Sequence, residues 1–299
     1  MKKILLVMCA VMFLAMPLGA SARDIAPIVS ADWLEKNLTN PRLVVVDIRT
    51  PAEYKEGHIP GAINVAYGTW AITKKELNNE LPDDADLEEI ISSAGLKTDS
   101  LVVVSGKVDT ATDQVNMNRV LKTLKYAGLN NIAVLDGAYN QWVKEKRATT
   151  PEITRAKASG FKANWNRTVF ANKDEFAAKL GKAVIIDARG ADVFYGVAKI
   201  PLVAKFGHAP SAVNLPSAWI YTPELLHRGK DELAAIAAGV VGKDLTREII
   251  VYCDTGRLNS GWFYILREVL GYANVKSYDG SMQEWTKDPA APMVRYSWH

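Results

Sequence analysis

The sequence predicts an α/β protein built from two copies of one domain, each a mostly parallel sheet of about five strands flanked by helices. Three observations predict it. The chain repeats itself in the same order. Each repeat alternates short β-branched runs with amphipathic helices. The length of 299 residues suits two domains, and 48% hydrophobic with 23% charged residues is enough apolar material for a core in each.

The elements follow in chain order. Residues 1–22 read as a secretory signal: Lys2 and Lys3 form a positive start, Ile4 to Met16 is an apolar run, Pro17 breaks the helix, and Ala20-Ser21-Ala22 is a cleavage site. The run is too short for a comfortable membrane span, and no later stretch is long and apolar enough for one. The mature chain is therefore expected to be periplasmic and not membrane-spanning. The first domain is expected over 23–150, a linker over the polar, Pro- and Gly-containing stretch 151–165, and the second domain over 166–299.

Within the repeat, Ser30 caps the helix ADWLEKNL and Asn172 caps KDEFAAKL, where Glu175 completes a capping box. The buried strands VVVD and VIID come next. Asp47-x-Arg49 matches Asp187-x-Arg189, and Gly57-His58-x-Pro60 matches Gly207-His208-x-Pro210, the second copy carrying ten extra residues before its glycine. Second strands LVVV and IIVY lead to helices stopped by glycine, and third strands end in Asp-Gly turns before helices holding Trp142 or Trp285. Aligning LVVVSG with IIVYCD sets Ser105 against Cys253.

Charge excludes some classes of function. Formal net charge is +3; without Lys2 and Lys3, 34 basic residues face 33 acidic ones. Nothing suggests a nucleic-acid surface or a polybasic membrane patch. No Cys/His cluster or glycine-rich nucleotide loop implies a metal or organic cofactor. There are two cysteines, and loss of Cys9 with the signal leaves Cys253 as a lone thiol, either a small buried hydrophobe or a group kept for chemistry.

Position favours chemistry. In open parallel sheets ligands sit beyond the carboxyl ends of the strands, and Cys253 follows IIVY directly. The loop Asp254-Thr255-Gly256-Arg257-Leu258 joins that strand end to a helix, so its N–H groups can converge on one point and ease ionisation of the thiol. Gly256 permits a tight path, and Arg257 adds a positive charge.

The pattern Asp-x-Arg, Glu-Tyr, Gly-His-Ile-Pro-Gly-Ala-x-Asn over Asp47 to Asn64, with Tyr-Cys-Asp-Thr-Gly at 252–256 and Tyr-Asp-Gly-Ser at 278–281, resembles the tandem-domain rhodaneses, in particular the exported bacterial thiosulfate sulfurtransferases. The resemblance covers essentially the whole mature chain. It implies two rhodanese-like domains, a catalytic Cys253, and a catalytically silent first half with Ser105 in the nucleophile position. It implies a small anionic sulfur donor and a thiol or cyanide acceptor, with a periplasmic protein as one candidate acceptor. The donor stays open between thiosulfate and 3-mercaptopyruvate, because the loop matches neither the Cys-Arg-Lys-Gly nor the Cys-Gly-Ser/Ala-Gly pattern of the family.

Arg257, Arg189, Asp254, Thr255, Gly256 and Leu258 are the expected substrate-binding residues. Arg189 also reads as half of a structural ion pair with Asp187, since Arg49 repeats the motif in the silent half. His58 and His208 are shared in the same way and read as rings bonded to backbone. Trp219 and Trp262 read as core residues or as walls of an interdomain pocket. A phosphatase on the same fold would carry arginine at the sixth position after the cysteine, where this chain has Asn259. The remaining alternative is a non-catalytic carrier that holds a persulfide for a partner.

Overall fold

The computed structural model describes residues 23–297, so the expected signal segment lies outside the described residues. The twelve described strands are β1 (Ile28–Val29), β2 (Leu43–Asp47), β3 (Ile63–Asn64), β4 (Ile72–Lys74), β5 (Leu77–Glu80), β6 (Leu101–Ser105), β7 (Ile132–Leu135), β8 (Phe170–Ala171), β9 (Val184–Asp187), β10 (Ala212–Asn214), β11 (Glu248–Tyr252) and β12 (Asn274–Tyr278). The first sheet runs β1-β7-β6-β2-β3 and the second, read in the matching direction, β8-β12-β11-β9-β10. Every pairing in these two sheets is parallel. The repeat in sequence is thus a repeat in topology.

Caps set the helix starts. Ser30 accepts the Trp33 N–H, and Thr50 with Glu53 forms a reciprocal capping box. The box expected at Asn172 is half formed. Asn172 accepts from the Glu175 N–H, but the Glu175 carboxylate turns to Lys276 on the neighbouring strand instead. An ion pair with a partly buried lysine has won over the cap's second hydrogen bond.

The stretch 151–165 has no regular structure, yet it is packed rather than free. Ser159 N–H donates to Ser92 O, Ala163 N–H donates to the Glu88 carboxylate, and Phe161 is buried. It straps the first domain along the helix Asp84–Ser93. A small antiparallel hairpin, β4 with β5, was not expected. Its turn residues Lys75 and Glu76 both have positive φ, as a tight hairpin turn requires, without the Asn-Gly that usually advertises one.

The domains meet through helices. The sixteen-residue helix Ala111–Tyr126 packs on Asn259–Tyr264, which continues into a π-helical turn at Ile265–Val269. A Cβ on Gly261 would lie 2.8 Å from Ile220 Cδ1 and 3.3 Å from Val115 Cγ1, so a side chain there would push the helices apart. One apolar core, including Val115, Val120, Trp262 and Phe263, runs across both domains.

Candidate active site

Strand register places Cys253 and corrects the alignment of the halves. Asp47 pairs with Ser105, whereas the equivalent Asp187 pairs with Tyr252. The next hydrogen bonds agree: Ile48 N–H donates to Ser105 O, and Ala188 N–H to Tyr252 O. Ser105 therefore stands where Tyr252 stands, as the last residue of a buried strand. The residue in the place of Cys253 is Gly106, whose carbonyl accepts from Tyr139 just as that of Cys253 accepts from Met282. Two runs of branched apolar residues align equally well one step apart, and only the sheet fixes the step.

Cys253 begins the loop that leads from β11 to the helix Asn259–Tyr264. The N–H groups of Asn259 and Thr255 are directed at its sulfur. Ser281, from the Asp-Gly-Ser turn after β12, braces the loop: its Oγ accepts from the N–H of Cys253 (3.1 Å) and of Gly256 (3.2 Å) and donates to Tyr278 O (2.7 Å). Ser281 sits at φ 48°, a left-handed conformation uncommon for a non-glycine residue, and this points its hydroxyl back at the loop. Gly256 has φ 74°, and a Cβ there would lie 2.3 Å from Asp279 O, so only glycine fits.

The expectation of an easily ionised thiol meets an opposing force. Cys253 is fully buried, and burial pushes its thiol up, with the Asp254 carboxylate adding to the effect. The two backbone N–H groups and the Lys122 ammonium pull the other way.

The remaining expected residues divide. Arg189 grips Asp187 with both arms, donates to Gly207 O (2.8 Å) and reaches Asp254 at 3.3 Å. It is thus a structural ion pair, and its link to the loop runs through Asp254. Arg49 repeats the arrangement with Asp47 and Gly57 O. Asp254 is nearly buried, and burial raises its carboxyl against the pull of Arg189. Arg257 reaches out of its own domain to Thr112 O (3.2 Å) and Asn116 Oδ1 (2.9 Å). Thr255 Oγ1 accepts from Asn79 Nδ2 (2.9 Å), and the Leu258 carbonyl accepts from Ser217 Oγ (2.6 Å). His58 and His208 bond backbone carbonyls through Nδ1 and stack on Tyr54 and Phe194. Trp262 is core and donates to Pro216 O, while Trp219 is half exposed.

Several site residues went unread in the sequence, and most belong to the first domain. Lys122 and Arg119 of the helix Ala111–Tyr126 are fully buried and converge on Asp279 of the second domain. Lys122 donates to Gly256 O (3.0 Å) and Asn259 Oδ1 (3.0 Å) inside the loop. Asn78, Asn79 and Glu76 of the hairpin bond Gln283 and Thr255, laying the hairpin across the loop. The available signal was a charged pair, Arg119 and Lys122, on a helix whose neighbours are apolar. A polar cavity of about 550 Å³ lies behind Asp279, lined by Glu80, Phe170, Tyr278 and Glu284.

The description "Rhodanese-like domain" matches residues 30–145 and again 172–288. The chain belongs to the rhodanese family. Among its relatives is a "Putative thiosulfate sulfurtransferase" of Saccharopolyspora erythraea, 29% identical over 270 residues, covering 86% of this chain and 92% of that one. A protein of the same name from Haloferax volcanii is 30% identical over 292 residues, covering 92% and 97%. Among solved structures, a 3-mercaptopyruvate sulfotransferase of Escherichia coli superposes with a TM-score of 0.72 at 24% identity, covering 86% of this chain and 99% of that one, a likeness of fold. Both rhodanese domains of the chain are thus accounted for, and only the second presents a thiol.

Proposed function

We propose that this rhodanese moves sulfane sulfur from thiosulfate, or a similar small anionic donor, to a thiophilic acceptor through a persulfide on Cys253. The observation that carries the reading is the aim of the Thr255 and Asn259 N–H groups at a lone thiol, inside a loop that Ser281 and Gly256 fix. Such a nest favours an anion on sulfur, and a persulfide is more acidic than a thiol. The Cys253 thiolate attacks the outer sulfur of thiosulfate, the S–S bond of the donor breaks, and sulfite leaves with the bonding pair. Cyanide or a thiolate then attacks the outer sulfur of the persulfide and returns Cys253 as thiolate. Names of relatives favour thiosulfate as donor.

The full burial of Cys253 favours a second reading, a carrier that shelters a persulfide until a partner protein takes it. Intact mass after incubation with thiosulfate tests the shared step: one added sulfur is expected, and none would sink both readings. Sustained thiocyanate production with thiosulfate and cyanide then marks the enzyme, whereas a single stoichiometric burst marks the carrier.

A further inference from the structure

The helix Ala111–Tyr126 belongs to the domain without the thiol, yet Lys122 spends its side chain on the other domain. Its Nζ donates to Gly256 O (3.0 Å), Asn259 Oδ1 (3.0 Å), Ser277 Oγ (2.8 Å) and Asp279 Oδ1 (3.3 Å), all in the second domain. No part of the side chain is exposed. Four oxygen acceptors around one nitrogen suit an ammonium with three hydrogens better than a neutral amine with two.

Two of those acceptors shape the nest. Asn259 donates one N–H to the Cys253 sulfur from its backbone, while its Nδ2 ties Val251 O (3.2 Å) and Tyr278 O (3.1 Å) together. Lys122 fixes that side chain from its remaining oxygen. The Gly256 carbonyl is held by Lys122 and Ser260 Oγ.

The charges give a second, independent argument. Arg119 and Lys122 both converge on one carboxylate, Asp279. Asp254 is engaged by Arg189, and Arg257 and Tyr67 also face this region. Glu80 and Glu284 line the cavity beside Asp279, and burial raises Glu80 to about 7, so its charge is incomplete at neutral pH. Arg119 and Lys122 therefore share a single close carboxylate, and a buried cation with only part of a counter-charge is costly. Burial and the neighbouring Arg119 pull Lys122 down, while Asp279 and an anion on Cys253 pull it back up. An anion on Cys253 would supply the rest of the counter-charge.

We propose that Lys122 is a positioning residue for Cys253, delivered across the domain boundary: it sets the loop that aims N–H groups at the sulfur and stabilises the sulfur anion. The proposal rests on Cys253 being the sulfur-bearing group, and the thiol's ionisation tests it without any sulfur transfer. In the full chain, the ultraviolet thiolate absorbance is titrated against a Cys253→Ser reference, for wild type, Lys122→Met and Lys122→Gln. The midpoint is expected to rise by about one pH unit in both variants, roughly tenfold less thiolate at a pH below both midpoints. Gln still offers hydrogen bonds to Gly256 O and Asn259 Oδ1, so Lys122→Gln is expected to keep more of the wild-type persulfide formation rate than Lys122→Met. A folded Lys122→Met with an unchanged midpoint would reduce Lys122 to an interdomain strut and overturn the proposal. Should Met not fold, an unchanged midpoint in Gln does the same. A shifted midpoint in a protein that takes no sulfur from thiosulfate would leave the proposal standing and remove the sulfurtransferase reading.

Discussion

The two domains share their scaffold contacts, and the difference that matters for chemistry lies in one loop. Asp47–Arg49 and Asp187–Arg189 form the same buried ion pair, each closed by a glycine carbonyl. His58 and His208 each face an antiparallel bridge, to Thr150 and Val294, where the end of the domain folds back. Trp142 and Trp285 each donate to a carbonyl six or seven residues on. After the central strand the paths differ. In the second domain Cys253 opens a nest braced by Ser281. In the first, Gly106 leads to a capping box of Thr110 with Asp113 and a long helix. The equivalent of Ser281 is Ala138, which keeps the left-handed φ of 55° with no hydroxyl to use it. The difference teaches that shared motifs in this family are scaffold. What one domain lacks in its loop it gives from its outer face, as Lys122, Arg119 and the β4–β5 hairpin placed on its neighbour.

The sharpest way to break the comparison is Cys253→Ser. With no second thiol in the mature chain as read, persulfide formation should fall by on the order of 10³-fold or more while the melting temperature stays within a few degrees. The thiol is free and accepts from backbone N–H groups and the Ser281 hydroxyl, so serine should fit. Sulfur transfer persisting in that variant would put the chemistry elsewhere.

Arg257 sharpens it at the next level. Its Nη1 is spent on Thr112 O and Asn116 Oδ1, leaving its other nitrogens for a dianionic donor. Arg257→Ala is expected to lower kcat/KM for thiosulfate by roughly 10- to 150-fold, the value of about 1.5–3 kcal/mol for a charge-assisted hydrogen bond. Asn116→Ala removes the anchor and leaves the charge, so a loss within about threefold is expected. Equal losses in the two variants would show that Arg257 joins the domains and does not bind the donor.

Much of this was legible in the residues. The duplicated order, the Asp-x-Arg pairs and the strand-end cysteine point to two mostly parallel sheets and to the loop, because buried parallel strands and Gly-His turns leave strong local patterns. Contacts across the domain boundary were not legible. Lys122 sits one turn from Arg119 on a helix that is buried on nearly every face, and periodicity shows which residues are inside without showing what meets them. The hairpin was silent because Lys75 and Glu76 take positive φ where glycine or asparagine is expected. Ser281 stands in a legible motif, but its role depends on a bond to an amide twenty-eight residues back.

The smallest expected effect tests the register that separates the halves. Ser105 is buried beside no nucleophilic nest, and its hydroxyl has no hydrogen-bond partner among the described residues. A buried hydroxyl without a partner costs stability, so Ser105→Ala should leave the protein as stable as before or more stable by up to about 1 kcal/mol. Turnover should stay within about twofold, because the residue in the place of Cys253 is Gly106. The counterpart of Ser105 is Tyr252, whose hydroxyl accepts from Ala209 N–H (3.1 Å) and so holds a bond that Ser105 is too short to copy. Tyr252→Phe should therefore be the costlier change, by about 1 kcal/mol in chemical denaturation. If Ser105→Ala instead slowed turnover more than tenfold, the step of one residue between the halves would be wrong, and the first domain would take part in the chemistry.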